Sequence, residues 1–195
     1  MWGNVKVTTP PEALPLLVAD VKRGLRVDHN EENELIRDIL ATAVGMIDGP
    51  AGIGVAMMAQ SWTMALDGFP NEIRLAGDPV SAITAVRYLG RDPEWATVDP
   101  ADYRLITLRD PARLVCVPGK SWPRPVDGVG TVEIEYTLGA ATREDVNPSL
   151  LGAVRLLCGH LYEHREAVAA GITLAELPLG VRHILDHHRR GLVAG

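Results

Sequence analysis

The chain has 195 residues, 47% of them hydrophobic and 23% charged, which excludes a disordered or fibrous polymer and supplies enough apolar material for a core. Its formal charge of −6 provides no basic footprint for gripping nucleic acid, although DNA can pass close by without adhering. The opening MWGNVKVTTPP lacks the basic and apolar regions of a secretion signal, and no apolar run approaches the ~20 residues that cross a bilayer, so folding in the cytoplasm, away from any membrane, is expected. Cys116 and Cys158 sit in apolar contexts (LVCV and LLCG) and read as buried free thiols, too few for a disulfide framework.

Residues 1–15 are extended and rich in Pro and Thr. Pro10, Pro11 and Pro15 forbid a helix there, and an arm is expected. Residues 16–26 read as a short helix with Leu17, Val21 and Leu25 on one face. Residues 28–48 give the clearest helix. Asp28 and Glu31 have the spacing of a capping box, Leu35, Ile36, Ile39, Leu40, Ala43, Val44 and Ile47 form the apolar stripe, and Gly49-Pro50 ends it. The run GPAGIG (49–54) lacks the Lys of a phosphate cradle and reads as a flexible connection.

Over residues 60–137 the period shifts from about 3.6 to 2. QSWTMAL, NEIRLA, ITAVRYL, DYRLIT, ARLVCV and TVEIEYT read as strands, with DGFPNE (67–72) as a hairpin turn and residues 90–101 as a loop holding a short strand. In TVEIEYT, Val132, Ile134 and Tyr136 alternate with Glu133 and Glu135, so one face is wet. Helix returns over 147–169, with Asn147 as N-cap, Pro148 in the first turn, a stripe of Leu150, Leu151, Val154, Leu157, Cys158 and Leu161, and Gly171 beyond it. A last helix spans 178–190, with Leu179, Val181, Ile184 and Leu185 apolar and His187, His188, Arg189 and Arg190 filling its final turn, where cations suit the helix dipole. Strands segregated between helices predict an α+β fold: a small helical bundle from both chain ends with an inserted antiparallel β-sheet. A single domain over 1–195 is expected, with the arm and first helices in 1–59, the β insertion in 60–140 and the closing helices in 147–190.

One motif invites a catalytic reading. HLYEH (160–164) matches H-x-x-E-H, with His160 and His164 one helical turn apart and Glu163 available as a base, as in a small zinc hydrolase. Against it, only Glu176 follows Glu166 as a glutamate, and the same residues read equally as the polar rim of a bundle. His183 and His187 share that spacing and could join them in a structural metal site, or stand as solvated histidines. No nucleophile elbow, P-loop or dinucleotide fingerprint is present. Asp99, Asp102, Asp110 and Asp127 read as turn residues. Trp122, in GKSWPRP, is either an anchor of a satellite core or an interface hot spot.

Segment by segment, the chain resembles the head–tail connector (adaptor) family of siphophage-like particles, in particular the adaptor of gene transfer agents. VADVKRGLRVDHNEENELIRDILATA is similar to the family's opening helices, with LRVD (Leu25–Asp28) as the hinge. QSWTMALDGFPNEIRL resembles its first hairpin, and DPVSAITAVRYLG, VDPADYRLI, ARLVCVPGKSWP and VEIEYTLG its later strands. LLCGHLYEHREAV and AELPLGVRHILDHHR resemble its closing helices, which implies that HLYEH carries no metal. The resemblance implies a structural role with no catalytic residue, cofactor or metal. It implies a ring of twelve copies in the neck of the particle, between the portal protein and a stopper or tail-completion protein, with DNA passing through the channel without sequence-specific binding. Asp and Glu side chains are expected along part of that channel. Candidate interface residues are Lys120, Trp122 and Arg124 in the Pro-rich loop, and His187, His188, Arg189, Arg190, Leu192 and Val193 at the C-terminal end.

Overall fold

The computed structural model describes residues 4–91, 94–164 and 178–190. In chain order the elements are β1 (Val5–Thr9), α1 (Val18–Leu25), α2 (Asn33–Ile47), β2 (Gln60–Leu66), β3 (Glu72–Arg74), β4 (Val80–Leu89), β5 (Trp95–Thr97), β6 (Tyr103–Ile106), β7 (Arg113–Cys116), β8 (Val132–Leu138), α3 (Pro148–Glu163) and α4 (Leu179–His188). The fold is α+β, with helices from both chain ends flanking the strands.

Apolar spacing builds the helical layer. α2 buries Ile36, Ile39, Leu40, Ala43, Val44 and Ile47, the positions that fall on one side of a 3.6-residue helix. α3 starts where expected: the Asn147 side chain accepts a hydrogen bond from the Ser149 N–H at 2.9 Å, satisfying a donor that the first turn leaves open. Its buried stripe of Leu150, Ala153, Val154, Leu157, Cys158 and Leu161 packs against α2, and Val21 of α1 with Val181 and Leu185 of α4 complete the core. Cys158 is wholly buried, and burial pushes its thiol up to about 12.

The strands form two antiparallel sheets rather than the single sheet expected, one in the order β1-β2-β8-β4-β5 and one in the order β3-β7-β6. Their inner faces meet in a second core, with Trp62, Met64, Val86, Ile134 and Tyr136 from the larger sheet against Ile73 and Leu114 from the smaller. β8 alternates as predicted: Val132, Ile134 and Tyr136 are buried, while Glu133 and Glu135 lie on the wetter face. Trp62 and Tyr136 stand opposite each other in the β2–β8 register, and the Tyr136 hydroxyl donates to the Ala76 carbonyl at 2.8 Å.

Several expectations fail for tertiary reasons. Residues 5–9 are not a free arm: they pair with β2 as an edge strand. DGFPNE is not a hairpin turn, because β2 pairs with β1 and β8 whereas β3 pairs with β7, so the segment carries the chain from one sheet to the other. Asp28 and Glu31 form no capping box. α2 begins at Asn33, and Glu31 instead meets His29 at 2.8 Å. Leu179 is 84% exposed at the start of α4. α3 ends at Glu163, and Gly171 lies outside the described residues.

The run GPAGIG is no flexible connection either. Gly49 N–H bonds the Val55 carbonyl at 2.8 Å and Ile53 N–H bonds the Ile47 carbonyl at 3.0 Å. A Cβ at Gly52 would lie 2.1 Å from the Ile47 oxygen, so only glycine permits this fold-back. Beyond it a directional chain of hydrogen bonds joins the two cores. Asp48, just past α2, accepts from the Met57 N–H at 2.6 Å and from the Gln60 amide at 2.8 Å, and the Gln60 carbonyl accepts from the Trp62 indole N–H at 2.8 Å. Burial raises the Asp48 pKa from its ordinary value, against the pull of those two donors.

Asp48→Asn replaces one acceptor by a donor, so it should weaken folding by about 1–3 kcal/mol in urea titration, the cost of leaving a buried partner unsatisfied. The deficit should narrow as pH rises. A carboxyl with a raised pKa stabilises the fold fully below about pH 4, and that contribution fades as pH climbs through the raised value, whereas asparagine does not titrate. A deficit that widens between pH 4 and 7 would contradict the dominance of burial.

Candidate functional site

The Pro-rich loop after β7 is anchored by aromatics. Trp122 stacks on Phe69 with centroids 4.8 Å apart and planes 5° from parallel, and lies 6.2 Å from Tyr103. Its indole N–H is buried without a hydrogen-bond partner among the described residues, so its ring serves the sheet core as an anchor. Lys120 reaches the Asp102 carboxylate at 2.7 Å, and that hydrogen bond, followed by the charge itself, raises its pKa. Arg124 is exposed and has no ion pair among the described residues. Phe69, Val117, Lys120, Trp122 and Arg124 line an open cleft of about 540 Å³.

At the other end the expected cluster divides. His187 and Arg189 face solvent, with Arg189 3.6 Å from Asp186. His188 and Arg190 turn inward. His188 Nε2 lies 2.5 Å from the Ser149 hydroxyl, and burial lowers its pKa, helped by His187 and Arg190 and opposed by Asp78. Arg190 donates its backbone N–H to the Ile53 carbonyl at 2.9 Å, and its guanidinium binds Asp78 at 2.7 Å and also Asp110. It therefore ties the end of α4 to both sheets, a role that no local pattern in HHRR reveals. Leu192 and Val193 lie outside the described residues.

His160 and His164 come together, with ring centroids 4.5 Å apart. His164 has already left helical geometry, and its Nδ1 donates to the His160 carbonyl at 2.9 Å. Among the described residues no three His, Cys, Asp or Glu side chains are grouped to hold a metal, so H-x-x-E-H finds no third ligand there. The intervening Tyr162 donates its hydroxyl to Glu32, binding α3 to the start of α2. No described helix is long and apolar enough to cross a membrane.

No protein-family model matches the chain, and no curated protein matches it. Solved structures do. The chain is similar over 98% of its length to 97% of a chain in the neck of an empty gene transfer agent particle computed with C6 symmetry, at a TM-score of 0.76 and 24% identity. A chain of the native gene transfer agent virion matches with the same coverage, a TM-score of 0.76 and 25% identity. One in the neck of the native particle, computed with C12 symmetry, matches at 0.69 and 25%. The fold is that of a gene transfer agent neck component. The likeness takes in the helical layer and both sheets, since nearly the whole of each chain is aligned.

Histidine with a lowered pKa stabilises the folded state above its ordinary value of about 6.5, and that contribution is lost as pH falls through the lowered one. Wild-type protein should therefore lose urea resistance relative to His188→Gln between pH 7 and pH 5. Parallel curves for the two proteins would remove His188 from the seam between α3 and α4.

Proposed function

We propose that the chain is a head–tail adaptor: a structural, non-catalytic protein that forms a twelve-copy ring in the particle neck, between the portal and the stopper or tail-completion protein. The observation that carries this reading is the end-to-end match to chains of gene transfer agent necks, two of them computed with cyclic symmetry. A closed ring needs two different patches on each subunit, because a contact related by rotation is heterologous. The two cores give the subunit two chemically distinct ends, a helical one and a β one.

DNA would pass through the ring and not be held by it. A chain of net charge −6 supplies no surplus of phosphate-binding cations. Acidic side chains along the channel would keep the duplex mobile by like-charge repulsion. Exposed Arg124, His187 and Arg189, with the C-terminal residues 191–195 that include Leu192 and Val193, are assigned to partners, the C-terminal group to the portal, while His188 and Arg190 are engaged within the subunit.

Electron microscopy of the purified chain mixed with purified portal tests the reading. Rings of twelve subunits seated on the portal are expected, and a chain that stays monomeric and leaves the portal bare would sink it. Removing residues 191–195 should lower the occupancy of portal by the ring while leaving the isolated subunit as stable as before. Normal particle assembly by the truncated chain would show that the portal contact lies elsewhere.

A further inference from the structure

The turn between β6 and β7 holds up an apolar side chain with nothing around it. Leu108 is 99% exposed and is followed by Arg109, which is exposed and has no ion pair among the described residues. The turn is nevertheless held in place, because Asp110 is bound by Arg190 at the end of α4. An exposed leucine alone is ordinary. A leucine on a tethered turn beside an unpaired cation is a preorganised knob.

A matching hole lies on the helical layer. Between α1 and α3 a groove of about 450 Å³ is floored by Val21, Leu25 and Leu156. Leu156 is 52% exposed. Gly24 and Gly159 clear its walls, and a Cβ at either would meet nothing within 4 Å. Glu163 stands at the C-terminal end of α3 on the groove's rim, exposed and without an ion pair among the described residues, two helical turns from Arg155, which lines the same groove with His160.

The knob cannot reach the hole of its own subunit. Pro178, before α4, lines the groove, whereas Arg190, after α4, holds the turn. The whole of α4 separates them, roughly 15 Å of helix. Leu108 stands two residues from Asp110, a reach of about 7 Å at full extension. A knob and a hole at opposite ends of one element satisfy each other only between copies, and repetition of that contact runs head to tail around a ring.

We propose that Leu108 of one copy seats in the α1–α3 groove of the next, with Arg109 opposite Glu163. The inference rests on the ring reading above and specifies which surfaces close the ring. The apolar insertion supplies contact energy, and the Arg109–Glu163 pair fixes direction and register. Because the contact recurs at every subunit boundary, a modest loss at each is multiplied around the ring.

The test uses full-length protein with purified portal, counting rings by electron microscopy and checking each variant's Tm. Gly159→Leu fills the groove at a helix position with open space around it. It should leave the Tm unchanged or raised, since leucine favours helix over glycine, and reduce ring yield by about tenfold or more. Leu108→Asp should do the same from the other side. Arg109→Glu and Glu163→Arg should each reduce rings, and the two combined should restore them. Rings at wild-type yield from Gly159→Leu or Leu108→Asp, or no recovery in the double charge exchange, would overturn this contact and leave the ring reading standing. Wild-type protein that forms no ring on the portal would overturn both.

Discussion

The structure depends on a line of hydrogen bonds that cannot be reversed. Trp62 has only a donor to offer, so Gln60 must turn its carbonyl inward to the indole and its amide outward, and Asp48 must accept from that amide and from Met57. Each group is at least partly buried, and an unsatisfied member would cost more than the line contributes when complete. The end of α2 is thereby locked to the first central strand of the larger sheet. Two close approaches follow from the same constraint. Gly52 lets the chain fold back on Ile47, and Gly77 lies under Trp62, where a Cβ would come within 2.4 Å of the indole ring. Arg190 makes a second seam from the other end of the chain, binding Ile53, Asp78 and Asp110 at once. Two cores that would otherwise be separate are joined by polar contacts at two seams, so the protein presents its helical and β surfaces in one fixed relation.

Sequence periodicity revealed the elements that answer to a local rule. β8 buries the residues that its spacing singles out, and α2 and α3 bury most of theirs, with Leu35 left 37% exposed and Leu151 half-buried at the margins of the stripes. Partnership between strands obeys no such rule. DGFPNE has good turn chemistry, yet chain direction is all that a turn sets, and Ile73 of β3 pairs with Leu114 of β7 in the second core. β1 was hidden by its prolines: Pro10 and Pro11 exclude helix but allow an edge strand to stop just before them. The failed capping box at Asp28 and Glu31 has a similar cause. Lys22 draws in Asn30 and Asn33 at 2.9 Å each, and that local network sets the start of α2.

Site residues were less legible, because a surface is defined by what it lacks. Trp122 could anchor a core or meet a partner, and the stack on Phe69 shows that one face of its ring packs on the sheet core while the residue also lines the open cleft. Arg190 looked like one of four cations in a helical last turn, but its partners come from segments about 80 and 110 positions away and could not be paired with it from spacing. Leu108 gives no sequence signal, since one apolar residue in a polar turn has no periodicity to break. The order of segments carried more than any motif did. At 24–25% identity with nearly complete coverage, the likeness to the solved structures lies in the order and arrangement of the whole chain.

The sheet edges constrain how such subunits can join. β3 and β5 are three residues long and β6 four, too short to template another chain. β1 is longer, but its pairing register breaks between Val7 and Thr9 and Pro10 follows immediately. All four edges of the two sheets are thus blunted, and strand addition between copies is disfavoured. What the blunted edges leave for contact between copies is side chains set into grooves, which read shape and charge and do not accept any passing strand. Open edges on a protein at high concentration would invite disordered association. With the edges closed, the contact proposed between a tethered knob and a remote hole is of the kind that the remaining surface allows, and a contact of that heterologous type repeats head to tail.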